Sequence, residues 1–211
     1  MASLWARCGS KLTLKCGGEL GTKALDTMGQ LTLIIGCMFA QKTTELLRQI
    51  RRYSSIGYRV RVVNFKEDTR YGENCISSHD VDQHPAQCVE RLSELEGQLG
   101  DVDVLVIDEA QFFGDLYECV VRWCDTLPLH VIVCGLDGDA ARRPFGDVLR
   151  LVPHAENLMR LSAYCAVCRD GTHAHFTLRT IASEEQKAVG GADMYKPVCR
   201  RHYLAGGGGN N

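Results

Sequence analysis

Short hydrophobic runs alternate along this chain with segments of helical periodicity. Four apolar runs, which predict strands buried in a parallel sheet, are LTLIIG from residue 31, YRVRVVNF from residue 58, VDVLVI from residue 102 and LHVIVCG from residue 129. Apolar positions three and four residues apart predict helices over TTELLRQIRR from residue 43, residues 86–99 and LYECVVRWCDTL from residue 116. This alternation predicts an α/β fold in which helices cover both faces of the sheet.

The helix predicted over residues 86–99 depends on a single apolar stripe. The stripe consists of Val89, Leu92, Leu95 and Leu99. These positions are three or more residues apart, as expected for one face of a helix.

Composition and charge narrow the class of protein. The chain has 211 residues, of which 45% are hydrophobic, and a net charge of −2. A generic binder of nucleic acid or of anionic membranes carries a strong basic excess, so we expect neither partner. No apolar run reaches the length of a membrane span. The 11 cysteines, without a convincing signal peptide, favour metal binding or free thiols and a cytoplasmic location.

The junction between the first strand and the first helix resembles a phosphate-binding loop. Gly36, Lys42 and Thr43 match the pattern Gly-x-x-x-x-Gly-Lys-Ser/Thr, but Gln41 replaces its second glycine. Backbone N–H groups and the helix dipole at such a junction favour phosphate. Lysine reaches the β- and γ-phosphates, and the hydroxyl that follows binds Mg²⁺. The alternative is an ordinary strand-to-helix turn that holds a Lys-Thr pair, and glycine is normally required for a left-handed backbone.

Two acids end the strand VDVLVI. Because successive strand residues point to opposite faces, we expect Asp108 and Glu109 to have different roles: one holding Mg²⁺ and the other taking a proton. The alternative is a solvated acidic turn. Arg70, Arg142 and Arg143 are candidate phosphate clamps, since guanidinium groups neutralise phosphoryl oxygens.

Two pairs of potential metal ligands lie near the C-terminus. Cys165 and Cys168 form one pair, Cys199 and His202 form the other, and residues 169–198 separate them. A Cys₃His set is an accepted tetrahedral zinc site, and four protein ligands leave no open position. We therefore predict a structural zinc ion. The alternative is a chance pairing in a cysteine-rich chain.

These features predict four segments. Residues 1–29 form an N-terminal extension that we expect to be poorly ordered, with a weak likeness to a transit peptide as the alternative. Residues 30–160 form a phosphate-loop α/β domain that binds nucleotide. Residues 161–204 form a zinc-binding domain. The glycine-rich residues 205–211 form a flexible tail.

The motifs together resemble the cytosolic-type, zinc-containing thymidine kinases. The resemblance covers about residues 29–204 and rests on GCMFAQKTTELLRQIRR, KEDTRY, SSHD, VLVIDEAQFF, GLDGDAARRPFG, CAVC and VGGADMYKPVCRRHY. It implies transfer of the γ-phosphate of ATP to the 5′-hydroxyl of thymidine or deoxyuridine. It also implies a homo-oligomer, typically a tetramer.

The resemblance also assigns roles to individual residues. Glu109 would be the base on the 5′-hydroxyl, and Arg70 would assist catalysis near the reacting phosphates. Residues implied to bind ATP and Mg²⁺ are Gly36, Met38, Phe39, Ala40, Gln41, Lys42, Thr43, Thr44, Asp68 and Asp108. Residues implied to bind the nucleoside are Met38, Gln111, Phe112, Phe145, Thr177, Val189, Gly190, Gly191 and Tyr195. The segment before the second ligand pair would form a lasso over the base, anchored by the zinc ion.

The sequence departs from the family pattern at four positions. Gln41 replaces a glycine, Ala40 replaces the usual Ser, Ala140 replaces an aromatic residue, and His202 replaces a fourth Cys. Three hypotheses follow. The leading one is an active deoxypyrimidine nucleoside kinase. The second is a catalytically impaired relative that binds nucleotide or acts as a scaffold, and the third is a zinc-ribbon module that binds other macromolecules.

Overall fold

The computed structural model describes residues 28–66, 75–77, 83–180 and 194–206. Its strands, in chain order, are β1 (Gln30–Gly36), β2 (Val60–Phe65), β3 (Cys75–Ser77), β4 (Gln83–Pro85), β5 (Gln87–Val89), β6 (Val104–Ile107), β7 (His130–Leu136), β8 (Asn157–Leu161), β9 (Ala163–Tyr164), β10 (His173–Ala174), β11 (Phe176–Arg179) and β12 (Tyr195–Val198). Its α-helices are α1 (Lys42–Ser55), α2 (Leu116–Thr126) and α3 (Arg200–Ala205). Three 3₁₀ helices lie at Leu92–Leu95, Ala110–Phe112 and Val148–His154.

Six strands form one parallel sheet in the order β5-β2-β6-β7-β1-β8. The four strands predicted from the hydrophobic runs are its four central strands, which confirms the α/β prediction. The carboxyl ends of parallel strands share one edge of a sheet, where ligands bind in folds of this kind. Gly36 therefore ends β1 on the same edge as the acids that follow β6.

Helices cover both faces of the sheet, as predicted. On one face, α1 buries Leu46 and Ile50 against side chains that include Ile34. On the other face, α2 packs with residues that include Leu33. Alternation along β1 produces this division, because neighbouring residues point to opposite faces. Among the described residues, the helices are too short or too polar to cross a bilayer.

The prediction of a helix over residues 86–99 was wrong. Strand β5 occupies its first part, and a single 3₁₀ turn at Leu92–Leu95 follows. The chain is extended at Arg91, and the carboxylate of Asp115 accepts hydrogen bonds from the backbone N–H groups of Leu92 and Ser93. All four residues of the apolar stripe are nevertheless buried. The hydrophobic pattern therefore predicted which residues are buried, but it predicted the wrong secondary structure.

The C-terminal lobe, here residues 161–180 and 194–206, packs beside the phosphate loop. It contains two short antiparallel ladders, β9 with β10 and β11 with β12, followed by α3. Strands of two to four residues are too short to give a periodic signal in the sequence, so the sequence predicts no strands in this region. Its small core includes Cys165, Ala174, Val198 and Tyr203 together with Cys37 of the phosphate loop.

Candidate active site and metal centre

The backbone between β1 and α1 has the shape of a phosphate loop. A Cβ atom at Gly36 would lie 2.4 Å from the carbonyl oxygen of Leu161, so only glycine fits there. Phe39 and Gln41 both adopt left-handed conformations, with φ of 65° and 57°. Position 41 thus has the backbone for which the motif normally supplies glycine. Gln41 adopts it at a cost of about 1–2 kcal/mol.

Helix α1 begins at Lys42 and directs its first N–H groups towards this loop. A helix N-terminus of this kind favours a phosphate group. The ammonium group of Lys42 donates a hydrogen bond to the carbonyl oxygen of Cys37, 2.9 Å away. The only formal positive charge within the loop sequence is therefore already held over the loop, where a phosphate would lie.

Asp108, directly after β6, is buried beside the loop with 5% of its surface exposed. One carboxylate oxygen accepts a hydrogen bond from the hydroxyl of Thr43 at 3.3 Å, and the other accepts one from the N–H of Glu109 at 2.9 Å. Burial, followed by the charge of Glu109, raises the pKa of Asp108 to about 6. A hydroxyl and a carboxylate are oxygen ligands of the kind that Mg²⁺ takes, so these two residues fit that ion.

The side chains of Asp108 and Glu109 point in different directions because the backbone turns after β6, and not because they alternate along a strand. Strand β6 ends at Ile107, and Glu109 is left-handed with φ of 49°. The expectation that the two acids differ because they lie on opposite faces of a strand was therefore wrong in its reason. Glu109 accepts a hydrogen bond of 2.5 Å from the side-chain amide of Gln111.

The side chain of Gln111 is fixed at both ends. Its oxygen accepts a hydrogen bond of 3.0 Å from the N–H of Leu136, while its amide nitrogen holds Glu109. Gly135 makes room for it, because a Cβ atom there would lie 2.8 Å from the Gln111 side-chain oxygen. A buried amide in this position orients a carboxylate without neutralising it, and a proton acceptor requires both properties.

An aromatic surface lies next to Gln111. Phe112 stacks on Phe65 with ring centroids 5.5 Å apart, and its edge meets Phe145 at the same distance. Phe145 is buried and Phe112 is half-buried. Aromatic pairs at such distances make a rigid apolar wall, which suits the face of a nucleobase.

The antiparallel strands β11 and β12 carry Thr177 and Tyr195. The hydroxyl of Thr177 accepts a hydrogen bond of 3.1 Å from the backbone N–H of Met38 in the phosphate loop. The hydroxyl of Tyr195 accepts one of 3.2 Å from Arg179. Sequence reasoning missed Arg179, which pairs with Tyr195 across the ladder, because a lone arginine in an irregular segment carries no distinctive signal.

Five predicted site residues lie outside the described residues. They are Asp68, Arg70, Val189, Gly190 and Gly191, and their roles remain predictions. The other two candidate phosphate clamps have partners beside the C-terminal lobe: Arg143 pairs with Asp139 at 2.8 Å, and Arg142 lies 4.7 Å from the ring centre of Tyr203.

Cys165, Cys168, Cys199 and His202 converge as predicted, with ligand atoms within 4.8 Å of one another. The sulfur atoms of Cys168 and Cys199 are 3.8 Å apart, and Nδ1 of His202 lies 3.4–3.5 Å from all three sulfur atoms. Around a tetrahedral zinc ion with Zn–S bonds of about 2.3 Å, sulfur atoms lie about 3.8 Å apart and sulfur and nitrogen about 3.5 Å apart. The donor set and its spacing therefore fit zinc.

A parallel sheet with a phosphate loop after β1, and with acids after β6 on the far side of β7, defines a protein of the phosphate-loop α/β class. A family model described as thymidine kinase matches residues 29–203, and the chain belongs to this family.

Proteins named thymidine kinase in plants and in an animal are similar to this chain. The chain is 41% identical to thymidine kinase from Oryza sativa subsp. japonica, over 84% of this chain and 67% of that protein. It is 42% identical to thymidine kinase a from Arabidopsis thaliana, over 83% of this chain and 75% of the relative. It is 39% identical to the cytosolic thymidine kinase of Gallus gallus, over 83% and 77% of the two chains.

Proposed function

We propose that this protein is a thymidine kinase, which transfers the γ-phosphate of ATP to the 5′-hydroxyl of thymidine or deoxyuridine. The observation that carries the proposal is the convergence of four side chains at one edge of the sheet. Lys42 and Thr43 begin α1 below the loop, and Asp108 and Glu109 follow β6 beside it. The family to which the chain belongs supports the same reaction.

On the donor side, the loop from Gly36 to Thr44 receives the phosphates of ATP. The N–H groups at the start of α1 and the ammonium of Lys42 face the negative charge. Thr43 and Asp108 would hold Mg²⁺, which neutralises charge on the transferring phosphoryl group when bound. Asp68 and Arg70 are proposed to act at the same phosphates.

On the acceptor side, Glu109 is the base. Its carboxylate accepts the proton of the 5′-hydroxyl as that oxygen attacks the γ-phosphorus, and Gln111 keeps the carboxylate in place. Phe112 and Phe145 would supply the apolar wall beside the nucleoside, and Tyr195 at the start of β12 is proposed to contact it. Met38, Thr177 and the backbone around residues 189–191 complete the proposed nucleoside pocket.

The zinc ion is proposed to be structural. All four ligand positions are taken by protein groups, so no position remains for substrate. The ion would join the knuckle at Cys165 and Cys168 to the start of α3, and the segment between the ligand pairs would fold over the base. We also propose a cytoplasmic homotetramer, the domain division at residues 160–161, and no nucleic-acid or membrane partner.

An impaired nucleotide-binding relative is the weaker hypothesis. It rests on Gln41 and Ala140, yet Gln41 has the left-handed backbone that the loop requires. Its strain lies at the bottom of the range that folded proteins tolerate at functional sites.

The test is steady-state phosphorylation of thymidine by ATP and Mg²⁺. Glu109→Gln should lower turnover by about 10²- to 10⁴-fold, the usual contribution of a positioned base. Glu118→Gln makes the same chemical change at an exposed position of α2 and should leave turnover unchanged. A zinc-loaded, folded wild-type protein without turnover would refute the proposal.

A further inference from the structure

The C-terminal lobe is attached to the phosphate loop by more than chain connectivity. Cys37 and Ala40 of the loop are buried in the same small core as Cys165 and Val198. The thiol of Cys37 donates to the carbonyl oxygen of Ala174, 3.4 Å away. One side of the phosphate loop therefore lies against the lobe that carries the metal ligands.

Thr177 of this lobe holds the backbone of the phosphate loop through its hydroxyl. Among the hydrogen bonds of the described residues, no other side-chain hydroxyl of the lobe does so. Its oxygen accepts the N–H of Met38 at 3.1 Å, and Thr177 is only 6% exposed. Met38 is half-buried and the hydrogen bond is partly buried, and a backbone N–H in such a place is normally paired. The N–H of Met38 is thus committed to the lobe and is not directed at a nucleotide.

Thr177 is also connected to the metal centre, through Pro197 in the neighbouring strand. Thr177 pairs with Pro197 across the ladder of β11 and β12. The carbonyl oxygen of Pro197 accepts a hydrogen bond of 3.0 Å from the N–H of Ala166, between the first two metal ligands. Three consecutive contacts therefore lead from the metal-binding turn to the phosphate loop.

The loop needs such support because of its own residues. Phe39 and Gln41, which flank Ala40, are both left-handed without being glycine. Strained backbone of this kind persists only where the surroundings determine it. Met38 immediately precedes this strained segment, so the bond from Met38 to Thr177 is well placed to hold it.

We propose that Thr177 is a positioning residue of the ATP site, whose hydroxyl holds the phosphate loop in its binding shape and couples that shape to the metal centre. This inference rests on the proposed function, because it takes the loop to be the ATP site. This role is additional to the place of Thr177 in the proposed nucleoside pocket, which would affect thymidine binding. The two roles separate in binding measurements, since ATP binds without the nucleoside.

The experiment is calorimetric titration of zinc-loaded protein with ATP and Mg²⁺ in the absence of nucleoside. Thr177→Val keeps the shape of the side chain but removes the acceptor for the N–H of Met38, and should weaken ATP binding about tenfold. Thr177→Ser keeps the hydroxyl and should bind almost as tightly as the wild type. Thr126→Val, which removes an exposed hydroxyl bonded to Arg122 at the end of α2, is the matched control.

Steady-state kinetics give the second readout. Thr177→Val should raise KM for ATP about tenfold, whatever its effect on KM for thymidine. If the valine variant loses zinc or helical signal, Thr177→Ala takes its place. ATP affinity equal to the wild type, or an effect confined to KM for thymidine, would overturn the inference. A wild-type protein that does not bind ATP would instead refute the proposed function, and this inference with it.

Coupling to the metal is tested by extracting zinc and repeating the titration. Removing zinc from the wild type should weaken ATP binding by about the same factor as Thr177→Val does in the zinc-loaded protein. Removing zinc from Thr177→Val should weaken ATP binding little further. Equal further losses in both proteins would show two independent effects and would contradict the coupling.

Discussion

Asp108→Asn should make the magnesium-free protein more stable while it abolishes phosphoryl transfer. The carboxyl group is buried, and its pKa is raised from 3.8 to about 6, first by burial and then by the charge of Glu109. In the unfolded chain no such burial exists. The folded protein therefore binds the proton more tightly than the unfolded one does, and this favours folding at low pH.

The sign and size follow from linkage. Because the folded pKa is the higher one, the stabilisation is fully present below pH 3.8 and is lost as the pH rises through 6. Above that pH the folded state holds a buried charge at a cost of about 3 kcal/mol, since one pKa unit corresponds to about 1.4 kcal/mol. An uncharged Asn avoids this cost. We expect Asp108→Asn to raise the unfolding free energy at pH 7.5 by up to about 3 kcal/mol, and by much less at pH 5.

The assay is urea denaturation at pH 5 and pH 7.5 in buffer prepared without magnesium. A chelator is avoided, because it would also remove zinc. Asp101→Asn is the control: its side chain is 74% exposed, so we expect a change within about 0.5 kcal/mol. Equal stability of Asp108→Asn and wild type at pH 7.5, or a difference that does not depend on pH, would refute the reasoning.

Two further predictions concern the departures from the family pattern. Gln41→Gly should raise the unfolding free energy by up to about 1 kcal/mol, because glycine adopts the left-handed backbone without strain. Arg51→Gly within α1 is the control and should lower the unfolding free energy by about 1 kcal/mol. Thermal denaturation compares the two variants, and a loss of stability in Gln41→Gly would contradict the strain at this position. His202→Cys should retain one zinc ion per chain, because Cys₄ is an equally good tetrahedral set, whereas Cys168→Ser should lose it. Metal analysis distinguishes these results, and zinc retained at full affinity by Cys168→Ser would contradict the site.

The main sheet was predictable because its strands carry long, unbroken hydrophobic runs. Such a run has few alternatives to a buried strand, so β1, β6 and β7 were recognised from it, and β2 was recognised from the alternation of apolar and polar residues in YRVRVVNF. The segment 86–99 was misread because burial on one stripe is compatible with a strand followed by a turn. The deciding contacts come from Asp115, which bonds the N–H groups at the start of that turn, and a local pattern does not contain them.

The site shows the same division between local and distant information. The metal ligands were predictable, because each pair is defined by its own spacing. The left-handed backbone at Gln41 was also predictable, because the motif places a glycine there. The bond from Thr177 to Met38 joins residues 139 positions apart, and the turn at Glu109 depends on how β6 ends. Neither leaves a trace in the neighbouring sequence.

The hydrogen bond from Lys42 to the carbonyl oxygen of Cys37 gives the ammonium group a partner within the loop itself. An incoming phosphate does not meet a free ammonium group but competes with a carbonyl dipole for it. The affinity that Lys42 contributes is therefore a difference between two contacts, each of which would be strong in isolation. The same contact links the two ends of the loop through the lysine side chain, so Lys42 supports the loop backbone as well as supplying its charge.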